Sequence, residues 1–288
     1  MINMIHENWY EVIKEKDHLI VIKERLNEID SRYLTKYTNL FLIIGHKECL
    51  LIDTGCGLFP LKPVIEKFLN GKRLNVVNTH SHFDHVGGNC EFDSVFIHKN
   101  EEMFIKNDLD LTFLKEAPNT VVNRYSNINL ILPPTKKIHT LNGGEVFNLG
   151  GIDVGCIHNA GHSPGSISLY TNKGELFPGD LVHYGFIPLP PKDDLSLMLN
   201  SIEKLITLCI EKNINEIYPS HEDYGVSKDI LTDLSNHLKN IDKYWENRIP
   251  NKFNNAWEID VGRFHLMLKV GIKERKDFRN KVRLLKAE

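Results

Sequence analysis

The chain has 288 residues, of which 41% are hydrophobic and 25% are charged, and its formal net charge is −3. This composition allows a large buried core, and the weakly acidic balance excludes a general attraction to nucleic acid. The five cysteines are widely spaced, so they exclude a dense disulfide framework and favour a reducing compartment. The charged N-terminus is unlike a signal peptide, and no apolar run reaches membrane-spanning length. We therefore expect a soluble, cytoplasmic protein that binds neither nucleic acid nor a membrane.

The first third of the chain is predicted to be rich in β-strands. Short runs of β-branched and apolar residues predict strands at 19–22, 38–44, 49–52, 75–78 and 95–97. A helix is predicted over 59–69, because apolar residues recur there at helical spacing and Gly71 follows. Residues 100–134 form a long insertion with helical patches at 101–107 and 109–115. Such an insertion is either a substrate lid or a surface excursion without a chemical role, and the sequence leaves both open.

The second half of the chain repeats the combination of strands and helices. Strands are predicted at 152–157, 166–170, 174–177 and 216–219. Amphipathic helices are predicted over 195–212 and 227–248, and 257–270 alternates as a terminal strand or hairpin. Because no linker or repeat interrupts the chain, we expect a single α+β domain over 1–288.

The sharpest chemical feature is the run His80-Ser81-His82-Phe83-Asp84-His85, directly after the strand predicted at 75–78. Because His80 and His82 are two residues apart, an extended backbone places both imidazoles on the same side, where they suit a metal such as zinc. Asp84 and His85 follow where the chain must turn, so they can face a second, adjacent metal. Four donor side chains within six residues favour a metal site over a group of surface histidines.

Further candidate ligands stand later in the chain, each at a predicted junction between a strand and a loop. They are His162 in Gly161-His162-Ser163, Asp180 in Gly179-Asp180, and His221 in Ser220-His221. Each of them alone is a weak indication, since a lone His or Asp after a strand is usually a cap or a turn residue. Their value lies in occurring together and in this order.

With Asp53 in Leu51-Ile52-Asp53-Thr54-Gly55, these motifs resemble the metallo-β-lactamase superfamily over nearly the whole chain. The resemblance implies a four-layer αβ/βα sandwich with two Zn²⁺ per chain in a groove at one edge, iron or manganese being alternatives. It implies that Asp53 helps to order the metal-binding loops. It also implies two sets of metal ligands and one bridging residue: His80, His82 and His162; Asp84, His85 and His221; and Asp180.

Two divalent ions can share a water molecule and lower its pKa from about 15.7 to about 7, which yields a metal-bound hydroxide as nucleophile. Asp84, besides ligating, is expected to orient this hydroxide or to carry a proton to the leaving group. In lactonase-like members a tyrosine lies three residues beyond the bridging aspartate. Here His183 holds that position and Tyr184 follows, so either side chain is a candidate for a hydrogen bond to the substrate carbonyl.

Segments 146–150, 161–167 and 177–182 resemble the acyl-CoA hydrolases of the metallo-β-lactamase domain-containing protein 2 type. The resemblance implies a small-molecule acyl substrate, in particular a thioester. The alternatives are a lactonase, a glyoxalase II-like hydrolase, or a mononuclear iron oxidoreductase that resembles persulfide dioxygenases. Residues 186–191 are either a wall of an acyl pocket or a rigid connector, and the connector is favoured. Residues 257–270 pack either on the core or on a second subunit, which leaves a homodimer open.

Overall fold

The computed structural model describes residues 9–29, 33–116 and 130–284. The strands of the first half are β1 Tyr10–Lys16, β2 Leu19–Arg25, β3 Tyr37–Ile44, β4 Glu48–Ile52, β5 Arg73–Val77, β6 Ser94–His98, β7 Leu109–Asp110, β8 Ile131–Leu132 and β9 Lys137–Leu141. Those of the second half are β10 Val146–Asn148, β11 Asp153–His158, β12 Ile167–Thr171, β13 Glu175–Phe177, β14 Gly185–Leu189, β15 Glu216–Ile217, β16 Val226–Ser227, β17 Ile249–Asn251, β18 Ala256–Val261 and β19 Phe264–Lys269. The α-helices are α1 Leu26–Ile29, α2 Lys62–Leu69, α3 Phe83–Val86, α4 Ser196–Glu211, α5 Asp229–Lys239 and α6 Arg275–Leu284.

Two large mixed sheets form the centre of the fold. The first has seven strands in the order β1-β2-β3-β4-β5-β6-β9, and the second has six in the order β10-β11-β12-β13-β15-β16. Side chains of the first sheet alternate between two packing partners, as the period of a strand requires. Leu40 and Leu42 of β3 pack with Leu61 and Ile65 at helix α2, whereas Phe41 packs between the sheets.

Each helical layer covers the outer face of one sheet. The cluster between the sheets joins Phe41 to Phe177 and Tyr218 of the second sheet, with ring centroids 5.0 and 5.9 Å away. Helices α4 and α5 pack on the other face of the second sheet, against Leu176 and Ile217. The result is the expected α+β sandwich of four layers, with the order helix, sheet, sheet, helix. The assignment of the whole chain to one domain stays a prediction.

Several predicted elements differ at their ends. The predicted helix 59–69 begins only at α2, where Pro63 occupies the first turn. The predicted helix 227–248 is wrong in its second half: α5 ends before Asn240, and a 3₁₀ helix, Ile241–Asn247, follows. The Asn240 side chain donates to the Asn236 carbonyl at 2.8 Å, a local bond that competes with helix continuation.

In the insertion 100–134, the two helical patches predicted at 101–107 and 109–115 are shorter than expected. Short 3₁₀ turns occur at Glu102–Phe104 and Thr112–Glu116, and β7 pairs with β8 in a small antiparallel ribbon. The part of the insertion over 117–129 lies outside the described residues.

A separate four-stranded sheet, in the order β14-β19-β18-β17, was only partly foreseen. The hairpin β18–β19 confirms the alternation seen at 257–270. The buried Trp257 side chain packs with α4, α5 and Phe278, so this hairpin covers the chain's own core. Residues 186–189 are not a connector, because they form β14, which pairs in parallel with β19. Pro188 is tolerated there, since β14 is an edge strand. None of the helices in the described ranges has the length and apolar character to cross a bilayer.

Candidate metal centre

The candidate ligands meet where strands of both large sheets end. His80 and His82 follow β5, and the single turn α3 then carries Asp84 and His85. The other three side chains follow three strands of the second sheet: His162 after β11, Asp180 after β13 and His221 after β15. Gly57 and Gly87 let the neighbouring loops touch, because a Cβ on Gly57 would lie 2.1 Å from the Gly87 carbonyl oxygen. All seven predicted side chains therefore reach one edge of the sandwich.

The seven side chains form two groups with an aspartate between them. We call His80, His82 and His162 the first ligand group, and Asp84, His85 and His221 the second ligand group. Within each group the donor atoms lie within 4.8 Å of one another. Asp180 contacts both groups: its Oδ2 lies 3.1 Å from His221 Nε2 and 3.5 Å from His162 Nε2.

The arrangement of the donor atoms suits a bound cation better than it suits hydrogen bonds among these side chains. His82 Nδ1 lies 3.0 Å from His80 Nε2 and 2.9 Å from His162 Nε2, so three ring nitrogens converge, and Asp180 Oδ2 lies 3.5 Å from the nitrogen of His162. His85 Nε2 and Asp180 Oδ1 are buried and lie 3.2 Å apart, and neither atom makes a well-aligned hydrogen bond within the part of the chain that the structure describes. Imidazole nitrogens and carboxylate oxygens are the donors that Zn²⁺ takes in hydrolases. The described side chains can therefore hold one or more metal ions.

Burial and nearby charges shift the histidine pKa values of the two ligand groups in opposite directions. Burial lowers the pKa of His162 to about 3 and that of His80 well below its usual value, so both imidazoles are neutral, as ligation requires. At His221, burial also lowers the pKa, but the Asp180 carboxylate outweighs it and raises the pKa to about 9. Around the second ligand group, the carboxylates of Asp84 and Asp180 thus favour positive charge at the position where a metal would supply it.

Asp53 orients histidines of both groups. Its Oδ1 accepts from the Thr79 backbone N–H at 2.7 Å, and its Oδ2 accepts from the Thr79 hydroxyl at 2.8 Å and from His85 Nδ1 at 2.9 Å. The Thr79 hydroxyl oxygen lies 3.0 Å from His80 Nδ1. Because Nδ1 of His80 and of His85 donates a proton in these contacts, Nε2 of each ring keeps its lone pair for the site. That Asp53 orders the metal-binding loops, as the resemblance implied, stays a prediction.

Other side chains that position the site were missed in the sequence. Thr38 on β3 donates to Asp84 Oδ2 at 3.3 Å, and the Tyr37 carbonyl oxygen lies 2.9 Å from His221 Nδ1. Glu101, in the turn after β6, binds loops that carry the first ligand group. No local pattern could have identified them, because each partner comes from a distant part of the chain.

A cleft with a volume of about 210 Å³, partly open to solvent, lies against both groups. His82, Asp84, His162, Asp180 and His221 line it on the ligand side. Its other walls are mainly apolar: Leu26, Tyr33, Leu34, Phe83, Phe186, Pro188, Phe253 and Met267. The predicted connector 186–191 thus contributes a wall, and the terminal hairpin contributes another.

His183 and Tyr184, the two candidates for a hydrogen bond to the substrate carbonyl, differ in position and in chemistry. His183 lines the cleft, its Nδ1 donates to the Tyr184 carbonyl at 2.8 Å, and burial lowers its pKa to about 4. Its neutral ring therefore presents Nε2 as an acceptor, whereas a hydrogen bond to a substrate carbonyl needs a donor. The Tyr184 ring packs on Phe264, with the Arg263 guanidinium 3.6 Å from its centroid, and it is not among the cleft-lining residues.

Comparison with known proteins agrees with this architecture. Residues 35–221 match the Metallo-beta-lactamase superfamily. The chain is 30% identical over 237 residues to "Acyl-coenzyme A thioesterase MBLAC2" from Bos taurus, covering 74% of this chain and 81% of that protein. It is 33% identical over 196 residues to "Probable metallo-hydrolase MJ0888" from Methanocaldococcus jannaschii, covering 65% of this chain and 89% of that protein.

A solved structure supports the fold. The "Metallo-beta-lactamase from Pontibacter korlensis" superposes with a TM-score of 0.56 at 17% identity, covering 80% of this chain and 99% of that one. The chain belongs to the metallo-beta-lactamase superfamily, and it is a metal-dependent hydrolase.

Proposed function

We propose that the chain is a dinuclear zinc hydrolase that cleaves a thioester with an apolar acyl group. The observation that carries the proposal is the meeting of seven donor side chains at one side of a cleft whose other walls are apolar. The thioesterase relative gives independent support for a thioester. A small-molecule acyl compound is thus the partner that we propose.

The second ligand group favours this chemistry over the mononuclear alternative. A persulfide dioxygenase-like protein would need the ligands of a single iron, which the first ligand group and Asp180 could supply. Asp84, His85 and His221 would then be three buried ionisable side chains that a single-iron site does not use, and burying ionisable groups is costly even when they are paired. Their presence together supports a second metal.

The cleft walls favour an apolar acyl group over the polar hydroxyacyl group of S-lactoylglutathione. Among the described residues that line the cleft, none is Lys or Arg. An acyl chain needs only apolar surface, whereas the anionic thiol part of the substrate, whether glutathione or coenzyme A, would have to lie outside this cleft. Phe186, Phe253 and Met267 offer such surface beside the ligand groups.

When bound, two Zn²⁺ ions would act as Lewis acids and lower the pKa of a water molecule, so that a nucleophile is available near neutral pH. Asp84 is held by Thr38 and is the residue that we propose to orient that water and to move its proton. His183 Nε2 can accept a second hydrogen bond from the water, which would aim it at the thioester carbon. The thiolate product is a good leaving group, so little acid assistance is needed.

The test is metal content together with a hydrolysis screen on the purified protein. We expect about two zinc ions per chain and turnover of a medium-chain acyl-CoA, with S-lactoylglutathione and a lactone much slower. Asp84→Ala and His221→Ala should each lower kcat at least about 100-fold. His237→Ala is the matched control, since His237 lies on α5 and contacts Tyr244. One iron per chain with oxygen consumption and no hydrolysis would overturn the proposal.

A further inference from the structure

Glu101 is a buried carboxylate that belongs to neither ligand group. It follows β6, and its side chain is only 1% exposed. Its backbone N–H donates to the His98 carbonyl at 2.8 Å, so the turn that carries it is anchored to the end of the strand. A carboxylate at this depth needs hydrogen-bond donors, which two other segments provide.

Both segments carry histidines of the first ligand group. Glu101 Oε1 accepts from the Ser163 hydroxyl at 2.7 Å and from the Gly165 backbone N–H at 2.6 Å. Glu101 Oε2 accepts from the Ser81 hydroxyl. Ser81 stands between His80 and His82, and Ser163 directly follows His162. We call this arrangement of Glu101, Ser81, Ser163 and Gly165 the Glu101 bridge.

The backbone around the Glu101 bridge is shaped for this contact. A Cβ on Gly165 would lie 2.6 Å from Glu101 Cγ, so only glycine lets the N–H approach the carboxylate. Nearby, His98 stacks on His158 with centroids 4.0 Å apart, and His158 Nε2 lies 3.0 Å from the Pro164 carbonyl oxygen. The end of β6 and the turn after it thus hold the 158–166 loop at two points, through the His98–His158 stack and through Glu101.

The second ligand group is oriented by other residues. Its hydrogen bonds run to Asp53, to Thr38 and to the Tyr37 carbonyl. Asp53 reaches both groups, through His85 and through Thr79 to His80, whereas the hydrogen bonds of Glu101 run only to segments of the first ligand group. Removal of the Glu101 side chain should therefore be felt mainly at the first ligand group.

We propose that Glu101 is a positioning residue that holds His82 and His162 together and so sets the metal affinity of the first ligand group. Hydrogen bonds from both loops to one side chain oppose separation of the loops, at the point where His82 Nδ1 and His162 Nε2 lie 2.9 Å apart. The inference rests on the proposed two-metal function. Partners of this kind typically change metal affinity by about 10- to 100-fold.

The test compares Glu101→Ala, Glu101→Gln and a matched control, Glu175→Ala. Glu175 is equally buried at 1% exposure and makes its bonds to Thr171, Lys16 and His18 at the start of β13, away from Asp180. Zinc affinity is measured by competition with a chromophoric chelator, and Co²⁺ absorption spectra report each site. Each Glu101 variant is also combined with His221→Ala, which leaves the first ligand group as the intact one.

We expect Glu101→Ala to weaken one of the two metal sites by about 10- to 100-fold, with the same loss in the His221→Ala background. The other site and the Glu175→Ala protein should keep their affinities within about twofold. Glu101→Gln should recover most of the loss, because its carbonyl oxygen can still accept from Ser163 and Gly165 while its amide donates to a rotated Ser81 hydroxyl.

Equal weakening of both sites by Glu101→Ala would show general damage and overturn the positioning role. Unchanged zinc affinity in Glu101→Ala would also overturn the positioning role. The same holds if Glu101→Gln binds zinc as weakly as Glu101→Ala, because the hydrogen bonds and not the charge are proposed to act. A wild-type chain that takes up only one metal would instead refute the two-metal proposal, whatever the Glu101 variants do.

Discussion

Replacement of Asp53 by Asn tests whether this residue sets the protonation pattern of the metal ligands. The change keeps the size of the side chain and alters one atom. In the wild-type protein, Asp53 Oδ2 accepts from both His85 Nδ1 and the Thr79 hydroxyl, and Oδ1 accepts from the Thr79 backbone N–H. The side-chain amide in Asp53→Asn has one acceptor oxygen and one donor nitrogen, so it cannot replace both carboxylate oxygens as acceptors. It must adopt one of two orientations.

Each orientation has a definite cost. With the amide nitrogen toward His85, the ring must accept on Nδ1 and carry its proton on Nε2, which then cannot bind a metal. With the amide nitrogen toward the Thr79 backbone N–H, two donors face each other, and a buried unsatisfied donor costs about 1–3 kcal/mol. We therefore expect the affinity of the second ligand group for zinc to fall about 10- to 100-fold, or about 1.4–2.8 kcal/mol.

The assay is a zinc competition titration on Asp53→Asn, with thioesterase activity measured at limiting and at saturating zinc. Activity should recover in part as zinc is raised, because the loss lies mainly in binding. Asp153→Asn is the control, since Asp153 accepts from Asn148 on a strand remote from the ligands. Two sites of wild-type affinity in Asp53→Asn would refute the tautomer argument.

Three further predictions concern the core, the cleft and the support of Asp84. Burial raises the pKa of Glu24 to about 7 from 4.5, so its favourable contribution to the free energy of unfolding is present below pH 4.5 and lost as pH rises to about 7. Urea unfolding of the metal-free protein should therefore show a decline of up to about 3 kcal/mol over that range, and Glu24→Gln should lack it. Met267→Ala should raise KM for a medium-chain acyl-CoA about 5- to 10-fold and barely affect acetyl-CoA, whereas Met103→Ala, 67% exposed and outside the cleft lining, should change neither. Thr38→Val should lower kcat about 10-fold with zinc content unchanged, and a loss of zinc instead would show that Thr38 supports ligation rather than proton transfer.

Much of the fold could be predicted because it depends on short-range patterns. β2, β3 and β4 were recognisable as short runs of apolar and β-branched residues, which suit strands buried on both faces. Helix α4 differs from its predicted range by one residue at each end. The ligand motif was visible for the same reason, since His80, His82, Asp84 and His85 lie within one strand end and one turn. His162, Asp180 and His221 gained meaning only through their resemblance to a known family.

Tertiary structure decided the features that depend on contacts between distant segments. Residues 186–189 look like a connector until β19, about 80 residues later in the chain, supplies a pairing partner. The direction of the His183 hydrogen bond depends on the position of the Tyr184 carbonyl, which no sequence pattern encodes. Glu101 is an ordinary glutamate in sequence, and it acquires donors only when the loops at Ser81 and Ser163 are folded around it. The sequence by itself therefore determined which donor atoms are available and where the strands end, because periodicity and turn chemistry act over a few residues. The packing of the two sheets decided which side chains orient those donors and which surfaces form the cleft, because such contacts exist only once distant parts of the chain are brought together.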